Sequence, residues 1–238
     1  MRIATELERR YPQPSLFPDG NPGLHQALVK WSDAFFRCSL YLIIATQSRD
    51  WPEEFLADRK DLFFDIDFDA VSRDLDYHRA QLRAHAALLD QQLADGRDYL
   101  AGDSPSLADI HAFSVPWVSR AAMPEVNELF AGFTRLAAWE ERVAAIGEGR
   151  RNPVDAAAAH AAAQQAEPVT EEAVDAGDAQ DLQTGQAVTV APDDARRGAV
   201  TGNLVLANAL EVAVRHGNDT VGEVVVHFPR LGYRITPA

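Results

Sequence analysis

Gly102-Asp103-Ser104-Pro105-Ser106-Leu107-Ala108-Asp109-Ile110 is a helix start written in full. Ser106 stands at the N-cap, where its hydroxyl can accept the amide hydrogen of Asp109. Asp109, three residues on, can reach back to the Ser106 amide as the second half of a capping box. Pro105 before the cap and Ile110 just inside can close a hydrophobic staple, and the carboxylate sits at the positive end of the helix dipole. This pattern predicts a strong helix nucleus, in which Asp109 is a structural residue and not a catalytic one.

Amphipathic helices flank this start on both sides. Leu24, Leu28, Trp31, Phe35, Cys38 and Leu42 recur at steps of four and three, so the helix opening near Pro22 carries one apolar stripe. Val71, Leu75, His78, Leu82, His85 and Leu89 repeat the pattern and predict a second long helix from Phe68 to Ala94, stopped at Gly96. Pro116 should kink the Ser106 helix or mark its last full turn. Phe133, Leu136, Trp139, Val143 and Ile146 form the inward face of another helix, and Asn152-Pro153-Val154-Asp155 opens an alanine-rich one running to Ala166.

The period changes near the C-terminus. Residues 167–184 are acidic and short of large apolar side chains, and read as a linker. Beyond it Val188 and Val190, then Leu204 and Leu206, alternate with a period of two, as do the stretches Leu210 to Val214 and Val221 to Phe228. Four or five short antiparallel strands follow, in a small barrel or curled sheet. The chain is therefore expected to be mainly α with a small β part. Its segments are a helix and proline-rich connector (1–21), an all-α domain (22–166), the acidic linker (167–184) and a small β domain (185–238).

Composition narrows the function classes. A formal charge of −14 over 238 residues, without a basic patch, argues against nucleic acid and anionic lipid as partners. No apolar run approaches the ~20 residues that span a bilayer. Cys38 is the single cysteine, so an intrachain disulfide is impossible, and a reducing cytoplasm is the expected home.

The block from Gly96-Arg97-Asp98-Tyr99-Leu100-Ala101-Gly102-Asp103 through Ser106, Ala108 and Asp109 to Trp117 resembles the signature at the heart of the C-terminal all-helical domain of glutathione S-transferases. Ile3 to Tyr11 is similar to the last helix of that family's N-terminal thioredoxin-like domain, and Pro12 to Asp19 to its interdomain linker. Leu24 to Phe36 is similar to the first long helix of its C-terminal domain, and Ala157 to Pro168 to the closing one. The resemblance implies addition of the glutathione thiol to an electrophile in a full-length form. It also implies that glutathione, the thiol-activating residue and a cis-proline belong to the thioredoxin-like domain, upstream of the helix in which this chain begins. No catalytic residue is therefore assigned here, and the chain alone is expected not to turn over. No cofactor is expected; glutathione would enter as co-substrate only if a thioredoxin-like domain were supplied. What the family's helical domain contributes is an apolar wall for the electrophile, for which Trp31, Phe35, Tyr41 and Trp117 are the candidates, each also able to serve as ordinary core. The alternative is a non-catalytic binding module. Its surface, including Ile3, Leu7 and the Trp31 helix, would take a second copy or a partner protein where the other domain would sit.

Other constellations point to structure. Cys38 falls on an apolar stripe without a basic neighbour and reads as a buried, inert thiol. His78 and His85 share a face but stand about 10 Å apart along a helix, too far to share an ion, so no metal is expected. Asp65, Asp67 and Asp69 lack the glycine and glutamate of a calcium loop and predict a connector with a helix cap. In the C-terminal stretch Val226-His227-Phe228-Pro229-Arg230-Leu231-Gly232-Tyr233, a strand, proline corner and return strand are expected. His227, Arg230 and Tyr233 are candidates for a polar cluster there.

Overall fold

The structure is a computed structural model that describes residues 2–168 and 172–238. By its contacts the chain divides into two compact units, residues 3–57 with 66–149, and residues 58–65 with 150–238 and Arg2.

The first unit is built from helices. A short helix, α1 (Arg2–Arg10), leads through the proline-rich connector into α2 (Pro22–Gln47), which Asn21 caps by accepting the Leu24 amide on its side chain. Glu8 ties connector to helix, accepting the Ser15 hydroxyl at 2.6 Å and the Leu16 amide at 2.7 Å. After a 3-10 turn and α3 (Glu53–Leu62) come α4 (Phe68–Arg73), α5 (Leu75–Gln92), α6 (Leu107–Ala122), α7 (Val126–Phe130) and α8 (Thr134–Ala144). The predicted helix from Phe68 to Ala94 is thus two helices. Asp67 caps the first by accepting the amides of Asp69 and Ala70. The chain breaks at Asp74, whose φ of −101° and ψ of 29° leave helical space. α6 runs on through Pro116, which is buried, for six more residues.

Helix α2 packs against both α5 and α6. Phe35 and Leu42 from α2, Leu82 and Leu89 from α5, Ala112 and Val115 from α6, and Leu136 and Trp139 from α8 form one continuous core. Ile146, expected to face inward, lies beyond the end of α8 and is exposed.

The second unit centres on an antiparallel sheet. Its strands are β1 (Ala173–Val174), β2 (Ala187–Pro192), β3 (Val200–Ala207), β4 (Glu211–Asn218), β5 (Gly222–Pro229) and β6 (Tyr233–Pro237). They run in the order β5-β4-β3-β2-β6, with β1 pairing parallel to β3. β5 passes into β6 through residues 230–232, yet the two strands stand at opposite ends of that order. Four backbone steps cover at most about 14 Å, whereas a flat five-strand path would separate its ends by about 19 Å. The sheet must therefore curl until its ends approach, which is the barrel-like form expected. Val188, Val190, Leu204, Val212 and Val214 fill its core.

Two expectations change here. Residues 167–184 are not a plain linker: Ala173 and Val174 form a strand, and Leu182 is buried in the sheet's core. The alanine-rich helix, α9 (Ala156–Gln165), belongs with the sheet, where it packs on β5. Gln164 donates to the carbonyls of Asp219 and Thr220, at 3.2 and 2.9 Å, and so binds α9 to the turn before β5. The simple alternation of Leu204 with Leu206 is also broken. A bulge between them lets Leu204 pair with Val214 and Ala207 with Val212, so Ala207 takes the core position that Leu206 would have filled. Gly202 is required nearby, because a Cβ would collide with the Arg215 carbonyl oxygen.

Candidate functional site

Asp109 anchors a buried cluster of hydrogen bonds in the helical unit. It is fully buried. Its Oδ2 accepts the Ser106 amide at 3.0 Å and the Ser106 hydroxyl at 2.6 Å, while Oδ1 accepts the Leu100 amide and the Trp139 indole N–H, both at 2.8 Å. The capping box forms, and the carboxylate does more than cap. It joins the loop before α6, the start of α6 and the centre of α8. Four donors occupy its two oxygens, so nothing is left for a substrate; the role is structural. The links to Leu100 and Trp139 leave no local signal in the sequence, since they join positions 9 and 30 residues from Asp109.

The aromatic candidates separate. Phe35 is core. Trp31, half-buried, lies beside it with ring centroids 5.8 Å apart, and both rings meet His85 of α5, at 5.9 Å from Trp31 and 5.5 Å, stacked, from Phe35. Tyr41, two turns on, lies 5.0 Å from the His78 ring and accepts a 2.7 Å hydrogen bond from Arg37 Nε. The α2–α5 seam is thus a line of aromatic and imidazole rings, and the structure brings Trp31, Phe35 and Tyr41 onto it. Trp117 is elsewhere: it points outward from α6 and is 64% exposed.

Both imidazoles in the seam carry an unsatisfied atom. His78 Nε2 and His85 Nδ1 are buried without a hydrogen-bond partner among the described residues. Burial lowers the His78 pKa, with Asp74 pulling weakly the other way, and burial alone lowers that of His85. Burial also pushes the Cys38 thiol up, which makes it a poorer nucleophile at neutral pH.

One constellation had no sequence signal. Ser32 Oγ lies 2.8 Å from His111 Nδ1, and His111 Nε2 lies 3.6 Å from Asp33 Oδ1, an outline of a Ser-His-Asp triad. The chemistry does not follow. Ser32 is fully buried, and its single hydroxyl hydrogen goes to the Val29 carbonyl at 2.8 Å, so His111 is the donor in their contact. Burial lowers the His111 pKa against the opposing pull of Asp33, which is itself engaged by Lys30. This is a polar tie between α2 and α6, repeated lower down where Ser39 donates to Ser119 at 2.7 Å.

In the second unit His227, Arg230 and Tyr233 do not gather. His227 Nδ1 pairs with Glu211 at 2.6 Å, Arg230 binds Asp178 at 2.8 Å and Gln180 at 3.0 Å, and Tyr233 packs on Phe228. Among the described residues no group of three or more His, Cys, Asp or Glu could hold a metal ion, and no helix is long and apolar enough to cross a membrane.

Residues 56–146, from α3 to the end of α8, match the family model for the glutathione S-transferase C-terminal domain. Over its whole length the chain is similar in fold to a GST-like protein from Pseudomonas syringae. That likeness has a TM-score of 0.76 and 24% identity, and covers 99% of this chain and 75% of that one. A weaker likeness, with TM-score 0.43 and 22% identity, is to the beta-etherase LigF from Sphingobium sp. strain SYK-6, covering 59% of this chain and 66% of that one. No curated protein matches the sequence. The family-model match takes in the whole capping motif, and the Pseudomonas syringae protein shares the fold around it.

Proposed function

We propose that the helical unit binds an apolar, electrophilic ligand against the aromatic side of α2, serving as the ligand-binding half of a glutathione-transferase-like protein. The observation that carries this reading is the ring line of Trp31, Tyr41, His78 and His85 along the α2–α5 seam. Half-buried aromatic rings offer a flat apolar body at small conformational cost, and Phe35 behind them fixes the Trp31 ring. In the conjugation this reading expects, the glutathione thiol loses its proton and its sulfur forms the new bond to the electrophilic carbon, from which, in an aryl halide, the halide departs. These residues would hold that carbon and exclude water from it. The described residues contain one sheet, the C-terminal one, and the thiol-binding function is assigned to a thioredoxin-like domain outside them. The setting proposed is the cytoplasm, where glutathione is reduced.

The test has two arms. This chain alone, given glutathione and an aryl halide, should show no turnover above background. Titration with a planar aromatic ligand should quench tryptophan emission, and Trp31→Ala should weaken that binding about tenfold, the equivalent of ~1.4 kcal/mol. Turnover by the chain alone, or equal affinity of the variant, would overturn the reading.

A second reading, a non-catalytic interaction module, is favoured by α1. Ile3 and Leu7 share one face of it, Tyr11 follows directly after its last residue, and all three are exposed. A second copy of this chain or another protein would cover them. Sedimentation of wild type and of Leu7→Glu distinguishes the two readings: a dimer that the variant dissociates supports the module.

A further inference from the structure

We propose that the α2–α5 seam is an acid-sensitive latch: when His78 and His85 take up protons, α5 loosens from α2 and the ring line along the seam comes apart. The geometry supplies the reason. A neutral imidazole can leave its buried nitrogen bare, at small cost. An imidazolium must place an N–H on both nitrogens, and at His78 Nε2 and His85 Nδ1 that hydrogen would meet no acceptor among the described residues. A buried donor without an acceptor, carrying charge, is one of the more destabilising arrangements a core can hold.

The surrounding charges offer little relief. His85 faces Trp31 and Phe35 from α2, which contribute rings and no anion. His78 faces Tyr41 from α2, whose hydroxyl is already engaged by the cationic Arg37. It is the fourth residue of α5, within the first turn, where the helix dipole disfavours a positive charge. Asp74, at the junction of α4 and α5, is the anion that acts on His78, and it does not outweigh burial. Of the remaining charged groups, Asp76 is turned to solvent with Arg79, and Asp90 is bound by Arg135 of α8. Arg83 lies over Phe133, and Glu128 of α7 is exposed. Burial lowers both histidines in the folded state. The unfolded chain therefore binds more protons as pH falls through about 6.5, and stability is lost below that value until the folded-state values are reached. The inference stands whether or not the ring line binds a ligand; if it does, acid would disrupt the same site.

The experiment uses the full chain without ligand. Imidazole resonances followed by NMR from pH 8 to pH 5 should place the midpoints of His78 and His85 below the ordinary imidazole value of about 6.5. The melting temperature should fall between pH 7.5 and 5.5, with tryptophan emission shifting to longer wavelength. In His78→Phe/His85→Phe most of that fall should vanish, the remainder belonging to His111, which burial also lowers. Midpoints at or above about 6.5, or a double variant with the full pH dependence, would overturn the proposal. The NMR arm needs no substitution and so decides the matter even where the variant folds poorly. Ligand titration at pH 7.5 tests the binding reading separately.

Discussion

Helix α2 packs on α5 and α6 among its neighbours, and these two seams handle polarity in opposite ways. Toward α6 the polar groups are paired: Ser32 with His111, Ser39 with Ser119, and Gln47 Nε2 with the Ala122 carbonyl at 2.6 Å. Toward α5 the polar groups are imidazoles held by ring packing, each with a buried nitrogen left unpaired. Paired buried groups fix position and register. Unpaired ones leave a seam that apolar packing alone holds, and that protonation can undo. The difference locates rigidity on the α6 side, where Asp109 extends the paired network to α8, and responsiveness on the α5 side.

The strongest way to break this contrast is at Asp109. Asp109→Ala orphans the amides of Ser106 and Leu100 and the indole of Trp139, and should cost about 3–5 kcal/mol in chemical denaturation. A loss under about 1 kcal/mol would show that the network is not the anchor claimed. A smaller effect belongs to Ser39→Ala, which leaves Ser119 without its donor and should cost about 1 kcal/mol. A double-mutant cycle with Ser119→Ala isolates the pair. His85→Phe tests the other seam. At pH 7.5 it removes an unpaired nitrogen and keeps a ring against Phe35, so stability should be unchanged or higher by up to about 1 kcal/mol. A loss as large as that of Ser39→Ala would erase the distinction. Trp117→Ala, on the exposed face of α6, sets the baseline and should move stability by no more than about 0.5 kcal/mol.

Much of this was legible in the chain. The capping box is local, so Ser106 and Asp109 could be read at a spacing of three. Helical stripes announced α2, the stretch that becomes α4 and α5, and α8, and the change to a period of two announced the sheet. Two of the errors share a cause. The bulge beyond Leu204 and the burial of Leu182 each depend on partners that the sheet brings together, and periodicity carries no record of a partner. The same holds for the site: Trp31 and Phe35 were visible on the α2 stripe, but the histidines that complete the ring line come from α5. Trp117 carries the same chemistry as Trp31, and only the packing of α6 turns it outward.

The sequence by itself determined most of the helices and strands, and that one carboxylate would start α6, because these follow from nearest-neighbour geometry along the backbone. Only the tertiary structure decided that Asp109 serves three elements and that His78 and His85 face a wall of rings without acceptors. It also decided that α9 belongs to the sheet. Whether a buried polar atom finds a partner depends on what the rest of the chain brings to it, and that is set when the helices pack.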